Sequence, residues 1–132
     1  MPSKLKPEEQ VQVAYITWFG LQYPKHRQGL FTNILAGGMY LSPRQGHKFK
    51  MLGAPKSWPD IIIDVPNGVY HGLRIELKAE GVKLQKKDGS WKDEHVEAQA
   101  KQLEYLRGNG FYAEFAVGIE EAMRHTNLYF GA

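Results

Sequence analysis

The residues with the clearest chemical potential are two acids and a lysine in the stretch WPDIIIDVPNGVYHGLRIELK, residues 58–78. Asp60 stands near its start, and Glu76 and Lys78 stand at its end. Two carboxylates that lie close together repel each other unless a cation lies between them, and oxygen ligands suit Mg²⁺ or Mn²⁺. A neighbouring lysine supplies a fixed positive charge that can stabilise a phosphate under attack or position the attacking water. This set of groups would support phosphodiester hydrolysis.

Whether these groups meet depends on how the stretch folds. Residues 65–69, Val-Pro-Asn-Gly-Val, are typical of a three-residue hairpin turn that ends in a bulge. That turn would pair Asp60 with Arg74 and make Glu76 a diagonal neighbour on the same face, about 7 Å away between β-carbons. Lys78 would share that face. A two-residue loop would instead shift the pairing by one residue and turn Asp60 to the opposite face.

The other face of this hairpin is aliphatic throughout. It carries six apolar side chains, Ile61, Ile63, Val65, Leu73, Ile75 and Leu77. The hairpin can therefore fill a core without its polar residues. A purely structural alternative remains, in which the charged side chains at positions 60, 64, 74, 76 and 78 form cross-strand ion pairs. Spacing alone does not choose between this alternative and a metal site.

A first helix is predicted from Pro7 to about residue 23, because proline suits a first turn and Glu8 and Glu9 suit its positive end. Val13 and Ile16 lie four and seven residues after Glu9. This spacing places the Glu9 carboxylate on an apolar stripe that faces whatever the helix packs against. The alternative is that Glu9 is exposed to solvent in the first turn of the helix.

Further elements follow from periodicity. Residues 25–57 show no clear period and predict one or two short strands among loops. The segment 79–93 is rich in glycine and lysine and predicts a mobile basic loop. Asp93 can cap a helix over 94–107 whose apolar stripe includes Gln99. A strand over 111–117 and a short helix, IEEAMRH, complete an α/β fold with a sheet flanked by helices.

Composition narrows the class of protein. A chain of 132 residues with 42% hydrophobic residues suits a single domain over 1–132. Zero cysteines exclude thiolate metal sites, and the five histidines show no close ligand spacing. No signal peptide or long apolar run occurs, so we expect a cytoplasmic protein without a membrane segment.

Positive charge is concentrated in the middle of the chain. Residues 44–92 hold ten Lys or Arg and five Asp or Glu, a local charge of +5, whereas the whole chain carries +3. This distribution favours a polyanionic partner such as DNA. A solvated lysine-rich loop is the alternative that charge alone does not exclude.

Several of these motifs together resemble the VRR-NUC branch of the PD-(D/E)XK nuclease superfamily. The signature is Pro-Asp at 59–60 followed by Glu-Leu-Lys at 76–78. The early acid at position 9, the approach LGAPKSWPDIII, the glutamine that begins QAKQLEYLRGNGF and the closing VGIEEAMR are similar to family features. The resemblance extends over about residues 8–124 and implies a restriction-endonuclease-like core with a central mixed sheet. Ser57 departs from the glycine that the family usually has there.

The resemblance implies a role for each residue of the motifs. Asp60, Glu76 and the backbone carbonyl of Leu77 would hold Mg²⁺ or Mn²⁺. Glu9 would be a further acid that binds the metal directly or through water. Lys78 would be the catalytic lysine, and Gln99 would orient the lysine or the water.

The expected activity is that of a metal-dependent DNA endonuclease. Small members of the family look like homodimers that act on branched DNA, as Holliday-junction resolvases do, in DNA repair or in phage. Phosphate contacts are expected from eight basic residues, Arg44, Lys48, Lys50, Lys56, Lys83, Lys86, Lys87 and Lys92. Tyr40, Phe49 and Trp91 are candidates for stacking on bases, with burial in the core as the alternative. The alternatives for function are a non-catalytic nucleic-acid-binding module and a flap or single-strand nuclease.

Overall fold

Short aliphatic runs form a mixed sheet at the centre of the molecule. In the computed structural model, which describes residues 4–33, 42–54 and 57–131, the strands are β1 (Leu30–Thr32), β2 (Ile61–Ile63), β3 (Leu73–Lys78) and β4 (Tyr112–Val117). The strand order follows the chain, with antiparallel pairs β1–β2 and β2–β3 and the parallel pair β3–β4. The predicted α/β fold with a mixed sheet flanked by helices is confirmed.

The described residues form four helices, and the first, third and fourth of them pack on the sheet. They are α1 (Pro7–Gln22), α2 (Pro43–Met51), α3 (Glu94–Gly108) and α4 (Gly118–Phe130), with a 3₁₀ turn at Pro24–Gly29. The crossover between the parallel strands passes through α3, which supplies the long connection that a parallel pair requires. None of the helices in the described residues is long and apolar enough to span a bilayer.

The two faces of the sheet have separate cores. The larger core forms where α1 and α4 cover the aliphatic side, and its fully buried side chains include Tyr15, Phe19, Ile61, Ile75 and Leu77. The aliphatic face predicted for the hairpin is therefore confirmed. The smaller core lies under α3, where Leu103 and Leu106 pack with Ala113 and the half-buried Trp58. The charged residues of β3 lie on this second face.

The connection between β2 and β3 is longer than the predicted three-residue turn. The Asn67 side chain accepts hydrogen bonds from the backbone N–H groups of Val69 and Tyr70, at 2.9 and 2.7 Å. This local turn lengthens the loop, so Arg74 pairs with Ile62. The predicted pairing of Arg74 with Asp60 is therefore wrong by two residues. Because strand side chains alternate with a period of two, this even shift leaves every side chain on its predicted face.

One helix was not predicted from the sequence. Ser42 accepts a hydrogen bond from the Gln45 backbone at 3.2 Å, and the Gln45 side chain accepts one from the Ser42 backbone at 3.1 Å. This capping box begins α2, which has no buried residue. The signal Ser-Pro-x-Gln is present in the sequence, within the segment predicted to hold short strands and loops.

The basic segment after β3 contains a short hairpin. The Lys86 N–H donates to the Ser90 carbonyl and the Lys92 N–H to the Leu84 carbonyl, each at 2.8 Å. The ring of Trp91 lies 5.7 Å from that of Phe115, between centroids, which places the hairpin beside β4. We call residues 84–92 the basic hairpin; the mobility predicted for residues 79–93 stays a prediction.

Candidate active site

Asp60 is held at the sheet by the backbone of the neighbouring strand. It immediately precedes β2, and its Oδ2 accepts a hydrogen bond of 2.8 Å from the Leu77 N–H. Its own carbonyl accepts a bond of 2.9 Å from the Asn33 N–H, which connects it to the end of β1. The side chain is buried. Backbone groups on two sides therefore fix the position of this carboxylate.

Glu76 lies in the middle of β3, with a side chain as buried as that of Asp60. Its Oε1 accepts a hydrogen bond of 2.7 Å from Gln99 Nε2, which reaches down from α3. Within the described part of the chain, Glu76 Oε2 and Gln99 Oε1 are buried without a hydrogen-bond partner. Buried polar atoms of this kind require an explanation, because each carries a desolvation penalty. Gln99 was expected to orient Lys78 or a water, whereas its observed partner is Glu76.

A third acid completes the cluster, and it is Glu8. One carboxylate oxygen from each of Glu8, Asp60 and Glu76 lies within 4.8 Å of the others. The prediction that Glu9 occupies this place is corrected by the geometry. The Glu9 carboxylate instead accepts a hydrogen bond of 2.8 Å from the Lys6 N–H, where it caps the start of α1.

The rotation of α1 explains the exchange of the two acids. The residues of α1 that are fully buried are Tyr15 and Phe19, which lie seven and eleven positions after Glu8. Val13, on the stripe predicted for Glu9, is 52% exposed. The same spacing rule applied to the two large aromatic residues would have selected Glu8 from the sequence.

Burial raises the pKa values of the three acids in this cluster. Removal from water raises the pKa of Glu76 well above its usual range, and the nearby Asp60 charge raises it further. Burial likewise raises the pKa of Asp60, against the lowering effect of its hydrogen bonds and of Lys78. Burial also raises the pKa of Glu8, which Lys78 opposes. Additional positive charge at this point would therefore allow the acids to ionise together.

Lys78 supplies one positive charge close to the acids. It is the last residue of β3 and is only 7% exposed, and its ammonium lowers the pKa of all three carboxyls. Among the described residues it makes no ion pair within 4.0 Å. The structure thus places Asp60, Glu76 and Lys78 on one face, as the sequence predicted, with Gln99 above Glu76.

Seven of the eight basic residues predicted to contact DNA lie in the described part of the chain, and all seven are exposed. Arg44, Lys48 and Lys50 belong to α2, whereas Lys86, Lys87 and Lys92 belong to the basic hairpin and Lys83 precedes it. Lys56 and Tyr40 lie outside the described residues. Phe49 and Trp91 are half-buried. Two separate basic elements therefore extend from the chain segments before Asp60 and after Lys78.

Comparison with known proteins gives a strong structural likeness. A solved structure described as "VRR_NUC domain protein" matches with a TM-score of 0.72 and 29% sequence identity, over 98% of this chain and 92% of its own. No protein-family model matches the sequence, and no curated protein matches it significantly. Nearly all of the chain, sheet and helices alike, has a counterpart in that structure.

Proposed function

We propose that this chain, which has a VRR-NUC domain of the PD-(D/E)XK nuclease type, hydrolyses phosphodiester bonds in DNA with Mg²⁺ or Mn²⁺ as cofactor. The observation that supports this most directly is the cluster of Glu8, Asp60 and Glu76, in which one carboxylate oxygen of each residue lies within 4.8 Å of the others. Three acids in so small a space are unfavourable for folding by themselves. A function that needs them together explains why they are there.

The donor atoms of the cluster fit a hard divalent cation. Carboxylate oxygens are the ligands that Mg²⁺ and Mn²⁺ prefer, and Glu76 Oε2 is a buried oxygen without a partner in the described residues. In this proposal Asp60, Glu76 and the carbonyl of Leu77 hold the metal, and Glu8 holds it directly or through water. When bound, the metal would activate a water and polarise the phosphate.

The protein's own residues would orient the reaction. The Leu77 N–H and the Gln99 amide fix one oxygen each of Asp60 and Glu76, at 2.8 and 2.7 Å, so the carboxylates need no rearrangement. The positive charge of Lys78 would stabilise the negative charge that develops on the phosphate during the reaction. The buried sheet face on which these residues lie keeps bulk water from screening that charge.

Affinity for DNA would come from the two basic elements. Exposed cations of α2 and of the basic hairpin neutralise phosphates and displace counterions, which gives affinity without sequence information. We propose branched DNA as the preferred substrate and a homodimer as the active form, because a four-way junction presents two strands related by two-fold symmetry. The site residues given above, the single domain over 1–132 and the DNA-repair role in phage or bacteria belong to the same proposal.

Cleavage assays test the proposal directly. End-labelled four-way junction, flap and plain duplex DNA are incubated with Mg²⁺, Mn²⁺ or EDTA. Wild type is compared with Lys78→Ala and with the control Lys101→Ala, whose lysine is exposed and paired with Glu97 at 3.4 Å on the outside of α3. Metal-dependent paired nicks on the junction, lost in Lys78→Ala and kept in the control, are the expected result. Binding without cleavage of any substrate would favour a non-catalytic binding module, and cleavage confined to flaps would favour a flap nuclease.

A further inference from the structure

The sheet face that carries the acids is covered unevenly. A row of cross-strand neighbours runs over it, from Phe31 through Ile62 and Arg74 to Ala113. Arg74 lies under the Phe111 ring and Ala113 under α3, and both are buried. At the other end Phe31 is 52% exposed, and Ile62 is half-buried. In the part of the chain that the structure describes, α3 covers β3 and β4 on this face and leaves β1 and β2 open.

An open cleft of about 460 Å³ occupies this uncovered part, lined by Thr32, Asn33, Gly53, Trp58 and Ile62. Its walls are attached to the acid cluster by the backbone. Asn33 Nδ2 donates to the Trp58 carbonyl at 3.3 Å, two residues before Asp60. Along the strand, Ile62 lies two residues after Asp60, a distance of about 6 to 7 Å. The cleft is thus a neighbour of the proposed reaction centre on the same sheet face.

The lining fits a flat, uncharged ring system. Among the described residues it combines the indole of Trp58 and the aliphatic Ile62 with the polar Thr32 and Asn33, and none of these side chains is charged. The chain reaches Gly53 directly from the basic end of α2, where Lys48 and Lys50 are exposed. An apolar wall with cations nearby suits a nucleotide, whose base is flat and whose phosphates are anionic.

A folded partner is a poorer occupant of the cleft. Stable protein–protein interfaces bury about 800 Å² on each partner, from about 20 to 30 residues. Only five of the residues that the structure describes line this cleft, and it lies within reach of a strand whose phosphate is at the acid cluster. A small site of this kind beside the reaction centre matches a part of the substrate better than a second protein chain.

We propose that this cleft binds an unpaired base of the cleaved DNA strand, next to the phosphate that is cut, with Trp58 as its stacking surface. The inference rests on the proposed function and deepens it, because it makes the exposure of a base a condition for efficient cleavage. Junctions, flaps and mismatched sites can release such a base at little cost, whereas a paired duplex must first unstack it. The cleft would thereby select DNA with locally broken pairing.

Abasic substitution measures the contribution of that base. Cleavage positions are first mapped on the junction with wild-type enzyme and Mg²⁺. Binding is then measured in Ca²⁺ by fluorescence anisotropy, with either a normal or an abasic nucleotide at each position that flanks the cut. Base stacking is worth about 1 to 3 kcal/mol, so one abasic position should weaken binding by wild type about 5- to 150-fold. Trp58→Leu should bind both DNAs about equally weakly.

Two controls isolate the role of Trp58. Leucine keeps an apolar side chain against the small core under α3, and circular dichroism and thermal unfolding verify that the variant folds. Tyr105→Leu removes an aromatic residue of α3 that is 64% exposed and should retain the full abasic penalty. Photocrosslinking of 5-iodouracil at the same position should label Trp58 in the wild-type protein. This test needs no variant.

The outcomes separate this inference from the function on which it rests. Metal-dependent cleavage with no abasic penalty at either flanking position, or with crosslinks elsewhere, would overturn the base-binding cleft and leave the nuclease intact. An abasic penalty that persists in Trp58→Leu would also overturn it. Absence of cleavage by wild-type protein in the mapping step would remove the proposed function and the inference together.

Discussion

Replacing Glu76 with glutamine should stabilise the metal-free protein. The Glu76 side chain is 2% exposed, and burial and Asp60 together hold its pKa well above the usual range. Glutamine is neutral and nearly the same shape, and its oxygen can still accept the 2.7 Å bond from Gln99. The substitution therefore removes the cost of a buried acid while it keeps the packing.

The magnitude follows from the cost of buried charge. Replacing a buried ion pair by well-packed hydrophobic residues of similar volume is often neutral or stabilising by about 1 to 4 kcal/mol, which sets the scale for removing one buried acid. Because glutamine remains polar, we expect about 1 to 3 kcal/mol at pH 8, or an increase in Tm of about 3 to 10 °C. Mg²⁺ should raise the Tm of the wild-type protein, because it binds the folded state. It should have little effect on the Tm of Glu76→Gln, which lacks one of the proposed ligands.

The pH dependence of stability is a second test of whether Glu76→Gln stabilises the protein. A raised pKa means that the folded state of an acid binds its proton more tightly than the unfolded state, so stability falls as pH rises above the unfolded value, about 4.3 for Glu. The advantage of Glu76→Gln in EDTA should therefore shrink as pH falls from 8 to 5. Thermal and urea unfolding measure it, with the exposed Glu97→Gln as the matched control. A variant less stable than wild type by the same amount at pH 5 and pH 8 would refute the reasoning.

Three further predictions concern other residues. Glu8→Gln should weaken Mn²⁺ binding in calorimetry at least about tenfold, whereas Glu9→Gln should leave it within about twofold, because the Glu9 carboxylate caps α1; equal losses would contradict the assignment. Gly110→Ala should lower the free energy of unfolding by about 1 to 3 kcal/mol, since its φ is +91° and a β-carbon would collide with His71; urea unfolding tests this. Lys87→Ala should reduce the slope of log affinity against log salt by about 1 in anisotropy titrations, and an unchanged slope would remove Lys87 from the phosphate contacts.

Much of the local structure could be predicted because local signals determine it. The Asp93 side chain accepts a hydrogen bond of 2.8 Å from the Val96 N–H and begins α3 where the sequence indicated. The alternation over 111–117 likewise gave β4 nearly to its bounds. The closing helix is longer than IEEAMRH, because α4 continues to Phe130. Tertiary packing of Tyr129 extends it beyond the predicted segment.

The sequence by itself determined that Glu76 and Lys78 share a face, since side chains of a strand alternate with a period of two. The structure decided that the register is even, which brings Asp60 to the same face. Only the tertiary structure decided that Glu8 joins them and that Gln99 bonds Glu76. The physical reason is that the rotation and height of a helix on a sheet are set by its largest buried side chains. Contacts between elements far apart in the chain fix that geometry, and the sequence offers an apolar stripe through either acid until packing shows which side chains are buried.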